Sequence, residues 1–244
     1  ILLVNAAAVP RETKVAVQEW MLRHGTPQGR QAATEGLPLV AEDVIQDVVR
    51  EGLESDDEDI QAWATTQLRA HAIPEAYALL VERLDSPLPA VAGAARQELS
   101  GFSALRVLSM ARELNVGDAR RAGQLLMKID LDAPTVIRRE LAHPVRQKRI
   151  KAAMAVHWLG LQEHFTSAFV AMTEDTDPLV RRTGAEILST MTAAEAHCAL
   201  LRLQDDPHAR VRETARAALE AWDQEICPLP AEESLSRPRT GGFP

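Results

Sequence analysis

Small and apolar positions recur along the chain in register. One series reads Ile60, Val91, Ala119, Lys151, Val180 and Val211. Four residues on lie Ala64, Ala95, Gly123, Ala155, Gly184 and Ala215, and eight residues on Leu68, Leu99, Met127, Leu159, Leu188 and Leu219. Offsets of zero, four and eight fall on one face of an α-helix. The middle series is small in all six members, which lets a neighbouring helix backbone come close. A further series, Val49, Leu80, Leu108, Ile137, Val170 and Leu201, falls between these. The step is about 30 residues, the length of one two-helix repeat. Each repeat therefore reads as an A helix, a turn and a B helix. A single pair cannot bury its apolar face, so successive pairs must stack, with Ala95, Ala155 and Ala215 facing an adjacent pair.

The turns carry matching chemistry. Asp177-Pro178-Leu179-Val180-Arg181 and Asp206-Pro207-His208-Ala209-Arg210-Val211-Arg212 each open an Ala-rich segment, and Ser86-Pro87 and His143-Pro144 stand at similar points. Proline is tolerated in the first turn of a helix and aspartate caps it. The chain has 39 Ala and 29 Leu against four Phe, four Trp and one Tyr, a balance that favours helix over strand. The fold expected is all-α: an α-solenoid, a right-handed superhelix of helix pairs.

The string Asp-Pro-x-Val-Arg, with Ala or Gly four residues and Leu eight residues after the Val, resembles the short HEAT-like repeat of bacterial proteins, as in phycobilin lyase subunits. The resemblance spans residues 41–222 and is strongest from Asp177 to Leu188 and from Asp206 to Leu219. It implies a surface-presenting protein, a non-catalytic scaffold or adaptor that binds a protein partner, alone or within a larger complex. The alternative it implies is a bilin lyase-like or chromophore-binding accessory protein, whose groove holds the tetrapyrrole with Arg and Asp at its propionates and pyrrole nitrogens. No bilin-specific motif accompanies the repeats.

On this reading residues 1–24 form a partial N-terminal repeat, with Pro10 to Gly25 as a B-type helix. Residues 25–40, containing Thr26-Pro27, Gly29 and Gly36, form an inserted loop. Residues 41–222 hold six repeats, and 223–244 a non-helical tail. The apolar start Ile1-Leu2-Leu3-Val4 is expected to be covered by preceding residues or another domain, and the tail to dock on a partner through Leu229 and Phe243.

Net charge is −8, unevenly spread. From Glu35 to Asp59 ten acidic residues face one arginine, and from Arg120 to Lys151 nine basic residues face three acids. Such polarisation says more about partners than the total does. The basic block offers an anion-binding surface made by Arg120, Arg121, Arg146, Lys148, Arg149 and Lys151. The acidic run Asp56, Asp57, Glu58 and Asp59 offers a site for a basic partner, part of it serving to cap the helix at Ile60. Against both stands a structural role, in which such charges are solvated or pair within the solenoid, as Arg181 and Arg212 would with Asp177 and Asp206.

Catalytic and metal motifs are missing. None of the seven histidines stands in HExxH or precedes a glutamate, as the di-iron hydroxylases built from HEAT repeats would require. Cys198 and Cys227 form no CxxC, and Cys198, among Ala196, Ala199, Leu200 and Leu201, reads as a buried inert thiol. GxSxG, GxxxxGK[ST] and GxGxxG are all absent. No catalytic residue, metal or cofactor is expected. Negative net charge and a single tyrosine argue against nucleic acid. No apolar run reaches the ~18 residues of a membrane span, and the cysteine count suits a reducing, cytoplasmic setting.

Overall fold

The computed structural model describes residues 9–35 and 40–226. Among these, the regular elements are fourteen α-helices and two short 3-10 turns. The helices are α1 (Arg11–His24), α2 (Pro27–Glu35), α3 (Glu42–Leu53), α4 (Glu58–Gln67), α5 (Ala76–Arg83), α6 (Pro89–Glu98) and α7 (Ala104–Met110). They continue as α8 (Val116–Ile129), α9 (Ala133–Leu141), α10 (Arg146–Trp158), α11 (Thr166–Met172), α12 (Pro178–Leu188), α13 (Ala194–Leu203) and α14 (Ala209–Ile226). Odd-numbered helices are A helices and even-numbered ones B helices. The fold is all-α, of the solenoid kind, with pairs stacked on pairs.

The chain divides into two compact units, Ile1–Ile137 and Arg138–Pro244. In the first, the B helices α2, α4 and α6 pack side by side. A continuous core of Leu22, Val48, Val49, Trp63, Leu68 and Leu80 lies between them and their A helices. In the second, α10, α12 and α14 form the row of B helices and α11 packs beside α13. All six small residues of the middle series are buried.

Three sequence expectations change. Residues 25–40 are not an inserted loop, because α2 occupies most of them. Pro27 takes the first helical position, where its missing N–H is no loss. Gly25 is needed in the turn because a Cβ there would run into the carbonyl oxygen of Met21. Ala33, 1% exposed, lies 31 residues before Ala64 and belongs to the same small series. So α1 is the A helix of a complete first pair, and the described residues hold seven pairs rather than six and a fragment. The tail boundary also moves, since α14 runs to Ile226. The expectations for Ile1–Val4, Leu229 and Phe243 lie outside the described residues.

The register of the fifth pair shifts as well. Lys151 is exposed, whereas Ala152, Ala153, Ala155, Val156 and Leu159 are buried. The equivalents in α12 and the turn after it are Gly184, Ala185, Ile187, Leu188 and Met191, all buried, which sets Ala152 rather than Ala155 opposite Gly184. Among the A helices, Leu201 is 45% exposed while its neighbour Leu200 is 0% exposed, so that series is displaced by one residue there. The small position serves contact within a pair. A Cβ on Gly184 would meet Met172 Cβ at 3.2 Å and the Phe169 carbonyl oxygen at 3.3 Å, both on the pair's own A helix. Ala155 is still enclosed, 3% exposed. Ala155→Leu should therefore overpack α10 and lower stability by about 1 to 3 kcal/mol, measured by urea denaturation.

Candidate binding surfaces

The charged blocks are best judged by what their members already hold. Asp57 caps α4, its Oδ1 accepting from the amides of Asp59 at 2.9 Å and Ile60 at 3.2 Å. Glu58 reaches the next pair, where its Oε1 accepts from the Ala90 amide at the start of α6 at 2.8 Å. Half of the acidic run is thus occupied with orphan helix amides. Only Asp56 and Asp59 project without such a duty. Asp59 borders a shallow groove of about 630 Å³ on the B face of the first unit. Its floor is built from equivalent positions on three helices, Ala32, Trp63 and Ala94 among them, so one large ring lies between two small residues. The Arg30 guanidinium sits 5.4 Å from the Trp63 ring centre, and burial holds its pKa below the ordinary arginine value.

In the second unit, Arg149, Arg181 and Arg212 repeat one device. Each sends Nη1 back to two carbonyl oxygens of its own turn. The acceptors are His143 and Pro144 at 2.8 and 3.0 Å, Asp175 and Thr176 at 2.9 and 3.1 Å, and Asp206 and Pro207 at 2.7 and 3.1 Å. The first two arginines also clamp the aspartate of the following turn. Arg149 Nη2 donates to Asp175 Oδ1 at 3.0 Å, and Arg181 donates through Nε and Nη2 to Asp206 at 2.7 and 2.9 Å. The aspartates in turn accept from the amides of Asp177 and His208 at 2.9 and 2.8 Å. The result is a ladder of charge-assisted bonds from turn to turn, bidentate between Arg181 and Asp206. Arg181, by its hydrogen bond first, holds the Asp206 carboxyl below the usual carboxylate range, and Asp206 raises the arginine in return.

This ladder separates look-alikes in the sequence. Asp177 and Asp206 both precede proline, but Asp177 caps its own helix through the Leu179 amide, while Asp206 is the buried clamp. Arg146 pairs with Asp177 at 2.9 Å and lowers its pKa. The proposed anion-binding set is therefore split. Arg146 and Arg149 are committed within the second unit. Lys148 and Lys151 are exposed with no ion pair among the described residues, and Arg120 and Arg121 are exposed on α8 of the first unit.

The structure adds two side chains that the sequence reading did not place in a site. Met154 is 41% and Trp158 38% exposed. With Gln147 and Lys151 they occupy one stripe of α10, since at about 100° per residue these four positions fall on the same side of the helix. Their exposure was legible only once the register of α10 was known. Cys198, expected to be buried, is an exposed free thiol. Among the described residues, no group of three or more His, Cys, Asp or Glu is placed to hold a metal ion, and no helix is long and apolar enough to cross a membrane.

No curated protein matches the chain. Among solved structures, it is similar to human deoxyhypusine hydroxylase in complex with glycerol, at 17% identity and a TM-score of 0.36, over 88% of this chain and 97% of that one. It is also similar to a designed armadillo repeat protein, at 16% identity and a TM-score of 0.31, over 90% of this chain and 97% of the other. Overlap this loose transfers neither activity nor ligand. The family model for HEAT repeats matches residues 134–220. That span runs from α9 into α14 and contains the whole arginine–aspartate ladder. Residues 134–220 thus carry HEAT repeats, within an all-α chain of repeated helix pairs.

Proposed function

We propose that the chain is a non-catalytic adaptor that holds another protein on the exposed face of its B helices, with α10 as the main contact in the second unit. The observation that carries this reading is the stripe of Lys151, Met154 and Trp158, flanked by Lys148. The positions equivalent to Met154 and Trp158 are Glu186 in α12 and Thr190 just after it, and Ala217 and Ala221 in α14. Only α10 of these three presents large apolar groups there. Tryptophan and methionine are enriched where protein interfaces bury their centres, and flanking charges steer the encounter. The two lysines set the sign, so the partner segment is acidic with an apolar anchor. HEAT repeats commonly serve as such scaffolds. A reducing compartment such as the cytoplasm suits the exposed thiol of Cys198.

The test is affinity capture from native lysate with the wild-type chain and with a Lys148→Glu, Lys151→Glu, Trp158→Ser variant. A protein retained only by the wild type, and released as salt rises to several tenths molar, is the expected result. Truncation at a central tryptophan should weaken binding at least about 30-fold, equivalent to ~2 kcal/mol. Equal retention by both chains would remove α10 from the site. A visible absorbance change on adding a bilin, unaltered in the variant, would favour the chromophore-holding alternative.

A further inference from the structure

A second surface, independent of the α10 face, lies in the first unit. A cleft of about 460 Å³ opens between α5, the end of α6, α7 and α8. Its walls are apolar, with Val81, Leu99, Phe102, Val107, Leu125 and Ile129 among the lining residues. At its mouth stand Tyr77, 65% exposed, and Met110, 40% exposed. Among the described residues, the charged side chains lining it are two arginines and one glutamate. Arg69 lies 5.6 Å from the Tyr77 ring centre and donates to the Glu98 carbonyl oxygen at 2.6 Å, with the Glu98 carboxylate 3.8 Å away. The glutamate's charge is thus matched by Arg69. Arg106 is exposed and has no ion pair among the described residues, which leaves the mouth positive.

From this geometry we infer that the cleft is a docking site for an amphipathic helix of a partner protein, with apolar side chains on one face and acidic residues flanking them. Three features point to that occupant. The lining combines Tyr, Phe, Met and Arg without lysine, the composition that marks the buried centre of protein interfaces. The cleft lies open between helices, as helix-in-groove recognition requires, and its volume of about 460 Å³ is enough for several side chains. The unmatched guanidinium of Arg106 complements a carboxylate and would repel a basic helix of the same apolar pattern.

The probe is a synthetic helical peptide with Leu at positions i, i+3, i+4 and i+7 and Glu beside them, compared with the same peptide carrying Lys in place of Glu. Binding to the full chain is read by fluorescence anisotropy. The Glu peptide should bind saturably and the Lys peptide at least tenfold more weakly, with Arg106→Glu reversing the preference. Tyr77→Ser with Met110→Ser should weaken the Glu peptide tenfold or more. Lys148→Glu with Lys151→Glu should leave it unchanged, which separates this site from the α10 face. All these positions are exposed, and circular dichroism checks that each variant stays helical. No saturable binding at millimolar peptide, equal binding of the two peptides, or binding abolished by the lysine variants alone would overturn the inference.

Discussion

Asp206→Ala should lower the unfolding free energy by about 3 to 5 kcal/mol, the range for removing one partner of a buried ion pair. The Asp206 side chain is 4% exposed and that of Arg181 13%. Loss of the carboxylate strands a guanidinium that still reaches two carbonyl oxygens but has lost its anion, and it also frees the His208 amide. Urea denaturation at neutral pH measures the loss. The pH dependence gives a second reading. Because Arg181 depresses the Asp206 pKa in the folded state, the carboxylate contributes stability that is fully present above its unfolded pKa of about 3.9. That contribution fades as pH falls below about 4 towards the folded value. Asp206→Asn should therefore show a shallower loss of stability than the wild type between about pH 4 and pH 2. A loss under about 1 kcal/mol at neutral pH would mean that the ladder is no stronger than an exposed pair.

Phe169→Ala should cost about 3 to 5 kcal/mol, the usual range for emptying a fully buried aromatic site. Phe169 is 0% exposed, and its helix lies against Gly184, where no Cβ separates the backbones. The surroundings therefore have little freedom to collapse into the space left behind. Val170, which the sequence series placed at this point of the repeat, is only half-buried, and Val170→Ala should cost clearly less. Equal losses for the two variants, followed by thermal or urea unfolding, would return the A helix to its periodic register.

What could be read from the sequence follows from which constraints are periodic. The small position on the B helices is set by close contact with a neighbouring helix. It recurs wherever a pair recurs, and Ala64, Ala95, Gly184 and Ala215 were correctly legible. The shift in α10 was hidden because Ala152 and Ala155 are both alanine and both buried. A series of small residues cannot tell two such candidates apart, whereas the hydrogen-bond partners of Arg149 can. The first pair was hidden by Thr26-Pro27 and Gly29, which look like breakers in a string but sit at or near a helix start. The arginines of the basic block illustrate the opposite limit. Their number suggested a surface for anions, yet Arg146 and Arg149 are held by Asp177 and Asp175, some thirty residues downstream. Trp158, partly exposed on α10, carries no sequence mark distinguishing it from the buried Trp63.

The most direct measurement of the adaptor reading is site-specific photocrosslinking. A photoreactive phenylalanine analogue replaces Trp158 in cells carrying the protein at its natural level, with replacement at Arg216, an exposed residue of α14, as the comparison. The crosslinked peptide is then identified by mass spectrometry. A defined protein segment, acidic and containing an apolar residue at the crosslink, should be captured from position 158 and be absent from position 216. Crosslinks to nucleic acid, or the same products from both positions, would contradict it.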